Sequence, residues 1–406
     1  MKKKLVASGI FLVAVGSGFA ANNIMINKAS QEVPQQILRA LQKLDSNAIQ
    51  VQRLTSNVNG SKIDEQYVIY PVFNGKRVDK APIFINHTAN IGLFASSVNG
   101  HVTIVKDKGL AKTFIENVAT INDNIHYSFS TANEKLDLNG EIQIGKIQDG
   151  LSSLELGKLT FSTIGSSNQI TSTMHLPSFV YNKRNEQFSL TDITMKSVGG
   201  DNLPKNTFDI TTGKINILEK RFNQSIQVAG LKWNTALTNE PSATLTTDIE
   251  VNKLNFNLDN APKDNFDITL NINVPGIPAS RLQEAADSID HGNIAQERVK
   301  KILNELLNNG INGNSITLRI NNSSAKGFIA LAPANYSEMQ PYQKRTQLIS
   351  NLSAQVDFDL EKSLVESMPK ISPVVERYFD LSPEDKYTGT FKLTEGQATL
   401  NGKPLQ

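Results

Sequence analysis

The sequence predicts an α+β fold that is predominantly β, an extended and curved antiparallel sheet with a few packing helices. Three observations support this fold class. Short segments alternate apolar and polar residues from about residue 62 to residue 280, turn-forming Asn, Gly, Asp and Pro separate them, and helical periodicity is confined to a few short stretches elsewhere. Strands of this kind at short spacing indicate an antiparallel sheet built from hairpins and meanders.

Residues 1–21, MKKKLVASGIFLVAVGSGFAA, form the first element. Three lysines precede an uncharged apolar run, which is typical of an export signal. Small residues at Gly18 and Ala20 favour cleavage after Ala20, whereas the length of the run reaches the lower limit for spanning a bilayer core of about 30 Å. If uncleaved, the segment would anchor the rest of the chain on the far side of the membrane. The residues themselves leave signal peptide and signal anchor open.

Residues 22–60 are predicted to be a short amphipathic helix and a linker, because apolar residues recur at helical spacing between residues 30 and 45. Residues 61–280 form the predicted β-rich region. Residues 281–406 form a helix–strand region that ends in a C-terminal hairpin and continues the same sheet.

One pattern recurs in the β-rich region: an apolar residue, two polar or small residues, Leu or Ile, one polar residue, and a large apolar residue. The copies are 156–161, 190–195, 228–233 and 251–256. The step of three breaks strict alternation and indicates a β-bulge or a kink. Two interpretations stay open. Any curved sheet needs such positions, or the sheet forms a groove whose inner face is lined by the final residues of the copies, Phe161, Met195, Trp233 and Phe256.

The helix–strand region contains two predicted helices. The first, at 294–310, has a continuous apolar stripe that favours packing on the sheet. The second, near 360–379, is predicted to kink or split at Pro369 and Pro373. The segment around Pro333 and Pro341 is interpreted as a loop. The closing hairpin, 388–406, is predicted to turn at Glu395-Gly396 and at Asn401-Gly402, and to pair with strand 318–331 or strand 353–360.

Composition excludes several classes of function. The chain has no cysteine, which excludes disulfides, thiol catalysis and cysteine metal sites. The formal net charge is +2 and no long run of basic residues occurs outside the first four, which argues against nucleic acid as a partner. No catalytic or phosphate-binding motif is present. We therefore predict no enzyme activity, no catalytic residues, no cofactor and no metal site.

The five histidines are far apart in the sequence. We expect His87, in the segment FINHTAN, to be an ordinary surface residue on a loop. Asp137–Glu141 lacks the spacing of a calcium loop and is interpreted as a turn between strands.

Three C-terminal segments resemble the YdgA/YihF family of bacterial proteins of unknown function. They are ILNELLNNGINGNSITLRINNSSAKGFIAL, LISNLSAQVDFDLEKSLVESM and TGTFKLTEGQATLNGKPLQ, and the last match is carried by residues 400–405. The resemblance implies a protein held at the inner membrane with its body in the periplasm of a Gram-negative cell, and it favours an uncleaved anchor. The His-Gly-Pro element common early in the family is absent at Asn86-His87-Thr88.

Two functions follow as hypotheses. The first is a non-enzymatic cell-envelope protein, tethered to the inner membrane, with a role in envelope assembly or maintenance. The alternative is binding or transfer of lipid or another hydrophobic ligand in a β-groove. An unrecognised enzyme is a weaker alternative. The expected partners are the inner membrane through the N-terminal segment, a lipid, and a second copy through an exposed sheet edge.

Overall fold

The structure, a computed structural model, describes residues 49–59, 61–73, 76–91, 97–117, 119–130, 133–166, 168–200, 205–238, 243–257, 265–277, 307–368 and 371–405. Strands account for 69% of the described residues, and the predicted fold class, predominantly β with a curved antiparallel sheet and few helices, is confirmed. The predicted N-terminal signal, the helix within 30–45 and the helix at 294–310 up to residue 306 lie outside the described residues. The chain divides into two compact units between Phe208 and Asp209.

The first described strand of the first unit lies inside the segment predicted to be a linker, because Ile49 and Val51 already alternate with polar residues. Its elements are β1 (Ile49–Asn59), β2 (Lys62–Phe73), β3 (Lys76–Arg77), β4 (Ile83–Ile91), β5 (Ser97–Ile104), α1 (Gly109–Asn117), β6 (Ile121–Ser130), β7 (Lys135–Ile144), β8 (Ile147–Asp149), β9 (Ser152–Leu156), β10 (Leu159–Ser166), β11 (Gln169–Lys183) and β12 (Glu186–Gly199). The strand β13 (Lys205–Glu219) contains the boundary between the units.

The strands of the first unit pair antiparallel in the order β1–β2–β4–β5–β6–β7–β10–β11–β12. The short strand β9 continues the edge of β10 by pairing with the far half of β11. Strands β1 to β7 bury one face, since their apolar residues alternate with polar ones. Ala111 and Phe114 of α1 pack into the same core. Its fully covered residues include Ile63, Ile125, Leu136 and Leu138.

The second unit contains β14 (Gln224–Thr238), β15 (Ala243–Asn257), β16 (Phe266–Ile277), β17 (Ser315–Ile320), β18 (Ser323–Leu331), α2 (Pro341–Asn351), β19 (Leu352–Glu361), α3 (Lys362–Glu366), α4 (Ser372–Tyr378), β20 (Asp380–Leu381), β21 (Lys386–Thr394), β22 (Gln397–Leu400) and β23 (Lys403–Pro404). Its strands pair antiparallel in the order β14–β15–β16–β17–β18–β19–β21–β22–β23. A small buried cluster joins Val365 and Val375 to Tyr387.

The helices of the second unit test two sequence interpretations. The predicted split near Pro373 is confirmed, because α3 ends at Glu366 and α4 starts beside this proline. The loop interpreted around Pro333 and Pro341 is present at residues 332–340 but does not include Pro341. Pro341 is the first residue of α2, a position where the missing N–H costs no helical hydrogen bond. None of the helices within the described ranges has the length and hydropathy needed to cross a bilayer.

The closing hairpin is confirmed as β21 and β22, and β21 pairs with β19, which contains the predicted partner strand 353–360. Both predicted turns are present. Glu395 and Gly396, and then Asn401 and Gly402, have positive φ angles, as tight two-residue hairpin turns require.

The recurring step of three coincides with a backbone irregularity in each copy. Asp192 in β12 and Gly230 in β14 have φ angles of 51° and 65°. The copy at 251–256 falls where the register between β15 and β16 shifts, after Val251. The copy at 156–161 spans the break between β9 and β10. The step therefore marks bends in otherwise long strands, as the bulge interpretation predicts.

Candidate functional site

Two of the four predicted groove residues lie in one row of the first unit. Phe161 on β10, Met174 on β11 and Met195 on β12 are directly opposite one another, so their side chains share one face of the sheet. The row starts at Gly140 on β7, and the Phe161 ring lies over this glycine. A Cβ atom at position 140 would overlap Phe161 Cζ. These four residues are called the apolar row.

The apolar row differs from the core beside it in its exposure to solvent. Core residues on the same face, such as Ile125 and Leu138, are fully covered. In contrast, the side chains of Phe161, Met174 and Met195 are only half-buried. The apolar face of the sheet thus continues beyond the packed core onto strands where it is partly open to water.

The other two predicted groove residues, Trp233 and Phe256, lie in the second unit. Trp233 is 43% exposed, although it is the largest side chain of β14, and its indole N–H donates a hydrogen bond of 2.9 Å to Thr235 Oγ1. It faces Ile249 of β15 directly. The Phe256 ring contacts Phe266 with centroids 6.4 Å apart and is half-buried. The second unit therefore also has large apolar side chains that are partly open.

A polar network occupies the centre of the first unit's core. The Glu65 carboxylate on β2 is fully buried and accepts hydrogen bonds from Arg53 (3.2 Å), Ser56 (3.0 Å) and the Tyr67 hydroxyl (2.7 Å). The Nδ1 atom of His87 lies 3.1 Å from Glu65 Oε2 and donates to it, because a carboxylate can only accept.

The Nε2 atom of His87 in turn lies 2.8 Å from the Tyr127 hydroxyl on β6. The expectation of a surface loop at His87 is wrong. The residue is on strand β4 and 4% exposed, because its position alternates in phase with the buried Ile83, Ile85 and Ala89. Both ring nitrogens have partners within the network.

The ionisation of this network follows from its burial and from the hydrogen bonds within it. Burial raises the pKa of Glu65, but hydrogen bonds from His87 and Tyr67 and the charge on His87 outweigh it, so the pKa lies below its ordinary value. Burial and the neighbouring Glu65 charge raise the pKa of Tyr67 and of Tyr127 well above the ordinary value. The two phenols therefore stay protonated, and Glu65 stays an acceptor. The network is a set of satisfied buried groups that fixes the register of β2, β4 and β6.

The opposite face of the same strands is polar. His101 on β5 and His126 on β6 are directly opposite, with their rings stacked at 4.5 Å between centroids. The turn interpreted at Asp137–Glu141 is wrong, since this segment lies within β7, where Gly140 leaves room for Phe161. Asn139 of that segment is exposed on the polar face, directly opposite His126.

Two comparisons bear on identity. The chain matches no protein-family model, and no curated protein matches it either. Within the described residues, no three His, Asp or Glu side chains are arranged to hold a metal ion. The candidate site is therefore judged on its geometry, which consists of a half-open apolar row on one face and a histidine-containing polar face on the other.

Sequence reasoning identified Phe161 and Met195 from the repeated pattern but missed both the Glu65 network and the histidine pair. His87 and Tyr127 are 40 residues apart, and His87 and Glu65 are 22 apart. No local motif joins them. The available signal was the alternation of residues 83–89, which places His87 on the buried face.

Proposed function

We propose that this chain is a non-enzymatic cell-envelope protein that binds an apolar chain, such as a lipid acyl chain, along the open part of its sheet. The observation that carries the proposal is the apolar row, in which large side chains stay half-buried next to a fully packed core. Apolar side chains that lie side by side and stay partly exposed are a feature of ligand and membrane contact sites. Trp233 and Phe256 extend the same character to the second unit.

The place of action proposed with it is the periplasmic side of the inner membrane. Residues 1–21, with three lysines ahead of an apolar run, support export and tethering, and the resemblance of the C-terminal segments to envelope proteins supports the compartment. A protein between two membranes encounters acyl chains on both sides, so a role in envelope assembly or maintenance fits an acyl-chain site.

The proposal is tested by site-specific photocrosslinking of the full chain in a Gram-negative host. A photoreactive amino acid is placed at Met195 or at Trp233, and lipid attached after irradiation is measured by mass spectrometry. Lys196 and Lys232 are the matched controls, because each is the adjacent residue on its strand and therefore points to the opposite face.

We expect lipid to be attached at Met195 and Trp233 and to be absent at Lys196 and Lys232. Equal labelling at all four positions would show nonspecific membrane contact, and no lipid at any position would overturn the acyl-chain proposal. Fractionation of the same cells tests the location, since a body found in the cytoplasm would contradict export.

A further inference from the structure

The polar face of the first unit has two adjoining clefts, about 440 and 330 Å³ in volume, that share His126 and Asn139. The first cleft reaches Thr88 on β4 and the second reaches His175 on β11. We call the two clefts together the polar trough. Five strand pairings separate β4 from β11, so at about 4.8 Å per pairing the trough is about 24 Å long.

The chemistry of the lining selects a class of ligand. Most lining residues end in an amide, a hydroxyl or an imidazole, and such groups both donate and accept hydrogen bonds. Neither Lys nor Arg is among the described lining residues, which disfavours an anion. Among the described lining residues, Asp137 and Glu141 are acidic, and Glu141 is paired with Lys158 at 2.9 Å.

A ligand that is rich in hydroxyl groups and carries no charge fits this lining. We propose that the polar trough binds a neutral oligosaccharide. Each sugar hydroxyl both donates and accepts, as do the amide of Asn139 and the imidazole of His126. The length of the trough corresponds to several sugar rings in a row, and not to a single monosaccharide.

The stacked histidines supply an independent observation. His101 Nε2 is buried, yet the described part of the chain gives it no hydrogen-bond partner. A buried polar atom of this kind normally has a partner, from protein, water or ligand. A hydroxyl of a sugar seated against His126, whose ring stacks on His101, would supply one after a small rotation of the pair. The flat imidazole faces also suit the C–H face of a sugar ring.

The test measures binding by the full chain, purified in a detergent without a sugar headgroup. The probes are a neutral hexasaccharide of N-acetylglucosamine and a neutral hexasaccharide of glucose, with a sulfated oligosaccharide as the charged comparison. Calorimetry gives the affinities. The double variant His126→Ala/Asn139→Ala removes two exposed side chains from the shared centre of the trough.

The matched control is Asn122→Ala/Gln143→Ala. These two exposed residues are on the same strands and the same face, and neither is among the lining residues. We expect one of the neutral hexasaccharides to bind, the trough variant to bind it about tenfold or more weakly, and the control to bind it as the native chain does. Preference between the two probes identifies whether the acetamido group is recognised.

Three outcomes would overturn the proposal. They are no binding of either neutral probe by a folded protein, binding of the sulfated probe alone, and binding that the trough variant leaves unchanged. Circular dichroism of each variant establishes that it is folded. The acyl-chain proposal is not affected by any of these outcomes, because Met174 and Met195 of the apolar row lie on the opposite face of the strands and line neither cleft.

Discussion

Replacing Glu65 by Ala should strongly destabilise the first unit. The Glu65 side chain is fully buried and accepts hydrogen bonds from the side chains of Arg53, Ser56, Tyr67 and His87, and Arg53 forms an ion pair with it. Removing one partner of a buried pair leaves the others desolvated and unpaired, which costs about 3–5 kcal/mol. For a unit of this size each kcal/mol lowers the melting temperature by about 2–4 °C, so a fall of about 6–20 °C is expected.

The assay is thermal unfolding followed by far-ultraviolet circular dichroism, with hydrogen exchange to locate the change. Fluorescence of Trp233 is unsuitable because this residue belongs to the second unit. The control is Asp64→Ala, one residue away on the opposite face, where the carboxylate is 42% exposed and pairs with Lys62 at 3.0 Å. An exposed pair contributes at most about 1 kcal/mol.

We expect faster amide hydrogen exchange in β2 and β4 of the Glu65→Ala variant and little change in the Asp64→Ala control. If both variants melted within about 3 °C of the native protein, the buried network would not stabilise the unit, and the reasoning from burial would be refuted.

The pKa of Glu65 is lower in the folded state than its ordinary value of 4.5, so the ionised carboxylate stabilises the fold above pH 4.5. This stabilisation is lost as the pH falls through the folded-state pKa. Glu65→Gln should therefore remove this part of the acid dependence of the melting temperature. Gly140→Ala should destabilise the first unit by about 1–3 kcal/mol and speed amide hydrogen exchange in β10, because the new Cβ would overlap the Phe161 ring. An unchanged exchange rate in β10 would contradict the close contact. Asn401→Ala should lower the stability of the second unit by about 1 kcal/mol and expose the Thr390 amide to hydrogen exchange. The reason is that Asn401 has a positive φ and that its Oδ1 accepts a hydrogen bond of 2.7 Å from Thr390 N. Continued protection of the Thr390 amide in the variant would contradict this prediction.

The fold was predictable where information is local. Alternation predicted the strands, the turn pairs predicted the closing hairpin, and Pro373 predicted the split between α3 and α4. The step of three was predictive because a bend needs one residue outside the alternation, and Asp192 and Gly230 supply it. These features depend on residues a few positions apart.

The misjudged features depend on partners that are distant in sequence. Asn139-Gly140 has the composition of a tight turn, but Gly140 is needed here to admit the Phe161 ring from a strand about twenty residues later. A proline is common both in loops and at the first position of a helix, and in this structure Pro341 begins α2. His87 was misplaced because the acceptor that makes its burial tolerable, Glu65, is on another strand.

The two proposed ligand surfaces can be separated experimentally because they share strands. Met174 on β11 belongs to the apolar row, whereas its neighbours Thr173 and His175 line the polar trough. Adjacent residues of a strand point to opposite faces, so a variant such as Met195→Glu changes the apolar row without touching the trough lining, and His126→Ala does the reverse. Two independent sites would be shown if Met195→Glu lost lipid labelling and kept sugar binding, and if His126→Ala lost sugar binding and kept lipid labelling. Loss of both activities in either variant would instead indicate a change in the sheet itself, since the strands that carry the two surfaces are the same.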